Sequence, residues 1–128
     1  MPLEIQILQD PRSQKAGSVV VKLAGSLDTA TAPELERRLA PVLAGHARDL
    51  MFDLEGLKFV TSAGLRVFAN ARKRLKERGG QTGFAHLQPQ IKEVFEIMKS
   101  LPGVAIFKDV QEMDDYLTAR QRMHEEQD

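Results

Sequence analysis

The feature that most limits the folds open to this chain is a repeated change of hydrophobic period. Leu3, Ile5 and Ile7 alternate with Glu4 and Gln6, the two-residue repeat of a strand with one wet face, and Asp10-Pro11 breaks the run. Gly17 then precedes Val19-Val20-Val21-Lys22-Leu23, a β-branched stretch short enough for a buried strand, and Gly25-Ser26 is expected to close it. From Thr31 the period lengthens. Leu35, Leu39, Val42 and Leu43 fall on one helical face, Thr31 and Glu34 stand in capping-box spacing, and Pro41 is expected to kink the helix or shorten its last turn.

The same exchange recurs along the rest of the chain. Leu50-Met51-Phe52-Asp53-Leu54 reads as a strand bounded by Arg48-Asp49 and Glu55-Gly56, after which Leu57, Phe59 and Val60 lead into Thr61-Ser62-Ala63-Gly64. Val67, Phe68, Ala71 and Leu75 mark a helix that ends at Gly79-Gly80. Phe84-Ala85-His86-Leu87 is the next strand, and Pro89 starts a helix carrying Ile91, Val94, Phe95 and Met98 that Leu101-Pro102-Gly103 stops. Val104-Ala105-Ile106-Phe107 is the last strand. Val110, Met113 and Leu117 mark a final helix, and residues 118–128 form a polar tail expected to fray.

Alternating strands and helices imply an α/β fold with a mostly parallel sheet joined by right-handed crossovers. The opening hairpin supplies no crossover helix, so the expectation is a sheet of about five strands with about four helices mainly on one face. With 128 residues and no linker or repeat, residues 1–128 read as a single domain.

Composition removes several functions. Eighteen Lys and Arg balance 18 Asp and Glu, so nothing global favours nucleic acid or an anionic membrane as partner. The absence of cysteine excludes disulfides, thiolate metal sites and cysteine nucleophiles, and suits a reducing compartment. No apolar run approaches the roughly 20 residues of a membrane span, and the first residues lack the pattern of a signal peptide. The expectation is a cytoplasmic protein with no direct membrane insertion.

Enzymatic signatures are missing as well. The chain has no Walker-type phosphate loop, no GxGxxG after a strand, no HExxH and no GxSxG elbow. His46, His86 and His124 stand on different expected elements, and the acidic residues lie mostly on helix faces opposite the apolar stripes. No cofactor, metal site or catalytic group is therefore expected. A small α/β enzyme using Asp28, Asp53 and Ser62 around a ligand is the remaining catalytic reading, but no base accompanies Ser62.

The informative stretch runs from Asp53 to Leu65. Thr61 and Ser62 sit where an apolar run gives way to a helix, so one hydroxyl can cap the helix while the other faces solvent. In the plainest reading, either residue is an N-cap and nothing more. In the functional reading, an exposed hydroxyl at a helix N-terminus accepts a phosphoryl group, whose charge the helix dipole and free N–H groups favour, and Ala63-Gly64 leaves the approach open.

The order of elements, Gly25-Ser26-Leu27-Asp28 before a Thr- and Ala-rich helix start, and Asp53-Leu54 through Phe59-Val60-Thr61-Ser62-Ala63-Gly64-Leu65-Arg66 together resemble the STAS family of bacterial anti-sigma factor antagonists. The likeness spans about Leu3 to about Leu117 on the element order. It implies a small non-enzymatic module that switches partners. Unmodified, such a module captures an anti-sigma factor that is also a serine kinase of the histidine-kinase-like ATPase type; phosphorylated on a serine in this loop it lets go, and a PP2C-type phosphatase resets it. Many members carry Asp-Ser-Ser-Gly or Asp-Ser-Thr-Gly at the helix start. Here Thr61 stands at the Asp, Ser62 at the first hydroxyl and Ala63 at the second, so the resemblance makes Ser62 the candidate acceptor and Thr61 the runner-up.

Asp28 and Thr29 follow the second strand and should reach the same edge of the sheet as Thr61 and Ser62, since both loops join parallel strands to helices. By resemblance, Asp28, Thr29, Thr61, Ser62, Ala63, Gly64 and Arg66 form the partner-binding surface. A plain turn role for Asp28 stands beside that reading. Arg66, Arg72, Lys73, Arg74, Lys76 and Arg78 read either as a solvated face or as a docking face for an acidic partner. An alternative within the same fold is a STAS subunit docked on a membrane transporter complex for lipid, where Thr61 and Ser62 would be fixed contacts.

Overall fold

Strand pairing gathers the hydrophobic runs into one sheet. The computed structural model describes residues 2–9, 17–45, 47–96, 104–107, 111–112, 115–116 and 119. Its strands, β1 (Leu3–Gln9), β2 (Ser18–Leu27), β3 (Asp49–Val60), β4 (Thr82–Ala85) and β5 (Val104–Phe107), lie side by side in chain order. β1 runs antiparallel to β2 and every other neighbouring pair is parallel. Between them come α1 (Ala32–Ala44), α2 (Ser62–Lys76), the single-turn α3 (Pro89–Lys92) and a 3-10 turn at Val94–Glu96. The expected α/β architecture is thus observed.

α1 and α2 cover one face. Leu50, Phe52 and Leu54 of β3 and Phe84 of β4 pack with Leu35 and Leu39 of α1 and with Val67, Phe68, Ala71 and Leu75 of α2. Four phenylalanines form the centre: Phe68 meets Phe52 and Phe84 edge-on with ring centroids 4.8 and 5.2 Å apart, and Phe84 meets Phe95 at 4.8 Å. Each ring buries apolar area and adds about 0.5–1.5 kcal/mol per aromatic pair. On the opposite face Met51, Ala85 and Phe107 form a smaller cluster, on which Tyr116 rests with its ring 5.1 Å from that of Phe107.

Several elements depart from expectation. β2 does not stop at Gly25-Ser26, and β3 does not stop at Glu55-Gly56; both continue to a common end where Leu27 pairs with Val60. Two register shifts, between Lys22 and Ala24 and between Gly25 and Ser26, each insert one extra β3 residue. The glycines here serve the pairing and do not end it: Gly25 sits at φ +102, and a Cβ on Gly56 would lie 2.7 Å from the Cβ of Ala24. The second shift also resets the inside-outside alternation. Leu57 and Val60 are buried, while Lys58 and Phe59 both face solvent.

α1 continues through Pro41 to Ala44, because Leu39 and Leu43 stay anchored in the core on either side of it. Arg78, just past α2, donates to the carbonyls of Gly45 (2.7 Å), Ala47 (2.9 Å) and Leu43, so it ties down the end of α1 and does not belong to a basic docking face. The helix expected to reach Met98 turns to 3-10 geometry at Val94. Met98, the stop at Leu101-Pro102-Gly103, the break at Asp10-Pro11, the helix markers Val110, Met113 and Leu117, and all of the polar tail except Ala119 lie outside the described residues. Among the described residues, no helix is long and apolar enough to cross a membrane.

Candidate functional site

Because β2 and β3 are parallel and end in register, their two following loops emerge side by side. The Thr61 N–H donates to the Leu27 carbonyl at 3.0 Å, which fixes the start of α2 against the end of β2. This is the carboxyl edge of a parallel sheet, where helix N-termini gather and ligands or partners are commonly met.

The loop after β2 is closed upon itself. One Asp28 carboxylate oxygen accepts the N–H groups of Ala30 and Thr31, each at 3.0 Å. The Thr31 hydroxyl accepts the Asp28 N–H at 2.9 Å and donates to the Ser26 carbonyl at 2.8 Å. The Thr31 N–H above all holds the Asp28 carboxyl below its ordinary pKa; burial opposes it, and the Thr31 hydroxyl and the Ala30 N–H add smaller lowering effects. Thr31 therefore does not cap α1 through its side chain, and the capping box with Glu34 is not made. The threonine hydroxyl is drawn backwards into the turn, where Asp28 and Ser26 offer closer partners. Asp28 takes the turn role considered from the sequence, and Thr29 is exposed beside it.

The loop after β3 is built differently. Thr61 is the N-cap by backbone geometry, extended at φ −103 and ψ 176, and its carbonyl accepts the first helical bond from the Leu65 N–H at 3.0 Å. Its hydroxyl makes no cap bond. That oxygen is buried without a hydrogen-bond partner among the described residues. Ser62, the first helical residue, is exposed.

Gly64 lies inside rather than on the surface. A Cβ there would stand 2.6 Å from Leu27 Cγ and 2.8 Å from Val60 Cγ2, so the glycine lets α2 dock on the strand ends and does not serve to clear an approach. Ala63 is half-buried, and Arg66 is exposed one turn after Ser62, on the same side of the helix.

Charge favours an anion at this end of α2. The first turn holds no acidic residue, and the positive end of the helix dipole is not offset there. Lys73, Arg74 and Lys76 occupy the last turn, about 16–21 Å further along at the usual helical rise. Of the basic side chains expected to form one face, only Arg66 is near Ser62.

The most exposed apolar group in this neighbourhood carries no local signal in the sequence. Phe59, three residues before Ser62, keeps 54% of its surface open to solvent. The strand period alone assigns it to the interior beside Leu57, and only the register shift turns it outward. Asp53, by contrast, is not brought to this site. Its partner in register is Lys22, five residues short of the end of β2 and hence about 16 Å from the edge, so Asp28, Asp53 and Ser62 share no pocket. His46 and His124 lie outside the described residues, while His86 stands beside Asp53 and Glu55, side chains able to hold a metal ion.

Residues 9–113 match the family model described as STAS domain. The putative anti-sigma factor antagonist BtrV of Bordetella bronchiseptica is 36% identical over 81 residues, which cover 63% of this chain and 70% of that protein. The anti-sigma-B factor antagonist of Bacillus subtilis is 32% identical over 84 residues, 66% of this chain and 76% of that one. In architecture, the chain is similar to the anti-sigma factor antagonist SpoIIAA in its unphosphorylated form, with a TM-score of 0.70 at 19% identity over 90% of this chain and 98% of the other. The phosphorylated form of SpoIIAA superposes at a TM-score of 0.68 with the same identity, over 88% of this chain and 99% of that one. A family match running from the end of β1 past β5, together with the five-stranded sheet and the helix start after β3, establishes that the chain belongs to the STAS domain family.

Proposed function

We propose that this protein is an anti-sigma factor antagonist that works by phosphorylation-dependent partner switching, with Ser62 as the modified residue. The observation that carries the reading is the contrast between adjacent hydroxyls: Ser62 is exposed at the uncompensated positive end of α2, while the hydroxyl of Thr61 is buried. Curated relatives with antagonist names, and a related fold solved both with and without phosphate, support it.

The unmodified surface would be formed by Phe59, Thr29, Ser62 and Arg66, an apolar anchor with a polar rim. Its partner would be an anti-sigma factor that is also a serine kinase of the histidine-kinase-like ATPase type, and a PP2C-type phosphatase would reverse the modification. A phosphate on Ser62 adds about 1.5–2 negative charges, which the helix N-terminus of the free protein tolerates but a closed interface must desolvate. A penalty of about 3 kcal/mol already weakens binding more than a hundredfold. The protein itself would need no cofactor, and its place of action would be the cytoplasm.

The test is incubation of the purified chain with its kinase and ATP, with mass spectrometry to count and map the phosphate. One phosphate on Ser62 is expected. Phosphate on Thr61, or none from a kinase shown to be active on another substrate, would remove Ser62 from this role.

A further inference from the structure

The second cluster of chemically active side chains lies on the sheet face away from α1 and α2. Asp53 of β3 is paired in register with Ala85 of β4, and His86 follows Ala85 directly, so the imidazole stands beside the carboxylate. His86 Nδ1 is 3.0 Å from Asp53 Oδ1 and 3.9 Å from Glu55 Oε2. Asp53 and Glu55 also line a groove of about 470 Å³ together with Glu4, Gln6 and Lys22. We propose that Asp53, Glu55 and His86 bind one divalent transition-metal ion of the zinc class at the side of this groove.

The donor set and its spacing fit such an ion. The three ligand atoms lie within 4.8 Å of one another. Zinc holds nitrogen and oxygen donors at about 2.0–2.2 Å, which puts tetrahedral donors about 3.4 Å apart; the two distances from His86 bracket that value, and an inward movement of the exposed Glu55 would close the remaining separation between the carboxylates. Two carboxylates balance the double positive charge, and imidazole is the nitrogen donor this class of ion prefers.

The elements are also held to different degrees. The Asp53 side chain is only 4% exposed, and its Oδ1 takes the Glu55 N–H at 3.2 Å, which orients the carboxylate. Glu55 is 76% exposed and can swing onto an ion from solvent. Lys22 of β2 stands opposite Asp53 in register, yet it forms no ion pair with it among the described residues; the side chain that meets Asp53 there is His86. In the metal-free protein the Nδ1–H donates to Asp53. An ion would take the place of that proton, which moves to Nε2 of a neutral ring or leaves a doubly protonated one for solvent; either way the metal-bound ring is neutral with its proton on Nε2, and the groove side stays free for water or an anion as fourth ligand.

Calorimetric titration of zinc chloride into the metal-free chain tests the site, with cobalt(II) as a spectroscopic substitute. One saturable ion is expected, with visible cobalt bands of low-symmetry coordination. His86→Asn and Glu55→Gln should each weaken binding at least tenfold. Asparagine suits the left-handed backbone at His86 (φ 62), and Glu55 is exposed, so both variants should melt like the wild type without metal. No saturable binding, or undiminished binding in both variants, would overturn the proposal and leave an ordinary His–Asp hydrogen bond.

Discussion

The two loops at the carboxyl edge of the sheet begin helices by opposite means. After β2, the chain satisfies itself: Asp28, Ser26 and Thr31 exchange hydrogen bonds within the turn. After β3, no side chain caps the helix, the Thr61 hydroxyl is buried, and the position of α2 is set by a backbone bond to Leu27 and by close packing at Gly64. One loop is held by its own side-chain hydrogen bonds. The other is held from behind, so its solvent side can change charge without loosening the fold.

That contrast ranks the effects of substitution. Gly64→Val should be the most damaging, by about 2–3 kcal/mol in urea denaturation, because new methyl groups would overlap Leu27 and Val60. A loss below about 0.5 kcal/mol, the ordinary range for an exposed site, would mean that packing does not hold this helix start.

Asp28→Ala should come next, with a clear fall in the unfolding midpoint that is smaller than for Gly64→Val, since it releases the N–H groups of Ala30 and Thr31. The effect is tied to pH. The folded Asp28 has a lowered pKa, so its contribution is present above the unfolded value near 3.9 and is lost as pH falls through the lower folded value. The gap between wild type and Asp28→Asn should accordingly close between about pH 5 and strongly acid solution, as measured by chemical denaturation across that range. A gap that stays constant would show that the charge of Asp28 is not what holds the turn.

Ser62→Ala should have the smallest effect on folding, within about 0.5 kcal/mol, because the hydroxyl is exposed and supports no other group. Likewise the Ser62-phosphorylated chain should melt no lower than the unmodified one, since the added anion sits at a helix N-terminus. A marked drop in either melt would make Ser62 part of the scaffold.

The order of elements could be read from the sequence because the same residues carry the period and the core: Phe52, Phe68 and Phe84 each sit in a run whose spacing alone declares its type, and each is fully buried. What escaped was decided between segments. Phe59 turns outward through a register shift against Gly25 and Ser26, which no local pattern of β3 contains. Thr31 looks like a cap until Asp28 and Ser26 are folded around it. Arg78 looks like surface charge, yet it is bound to carbonyls more than thirty residues earlier. His86 and Asp53 meet only because β4 pairs with β3 in one particular register.

If Ser62 is a contact operated by charge, its affinity for the partner should follow the charge it carries. Calorimetric titration of the anti-sigma partner with the unmodified chain, with Ser62→Ala, with Ser62→Asp and with the Ser62-phosphorylated chain measures it directly. Unmodified and alanine forms should bind alike, the aspartate form more weakly, and the phosphorylated form more than a hundredfold more weakly, a difference of about 3 kcal/mol. Equal affinity for all four would contradict the account and take the loop after β3 out of the binding surface.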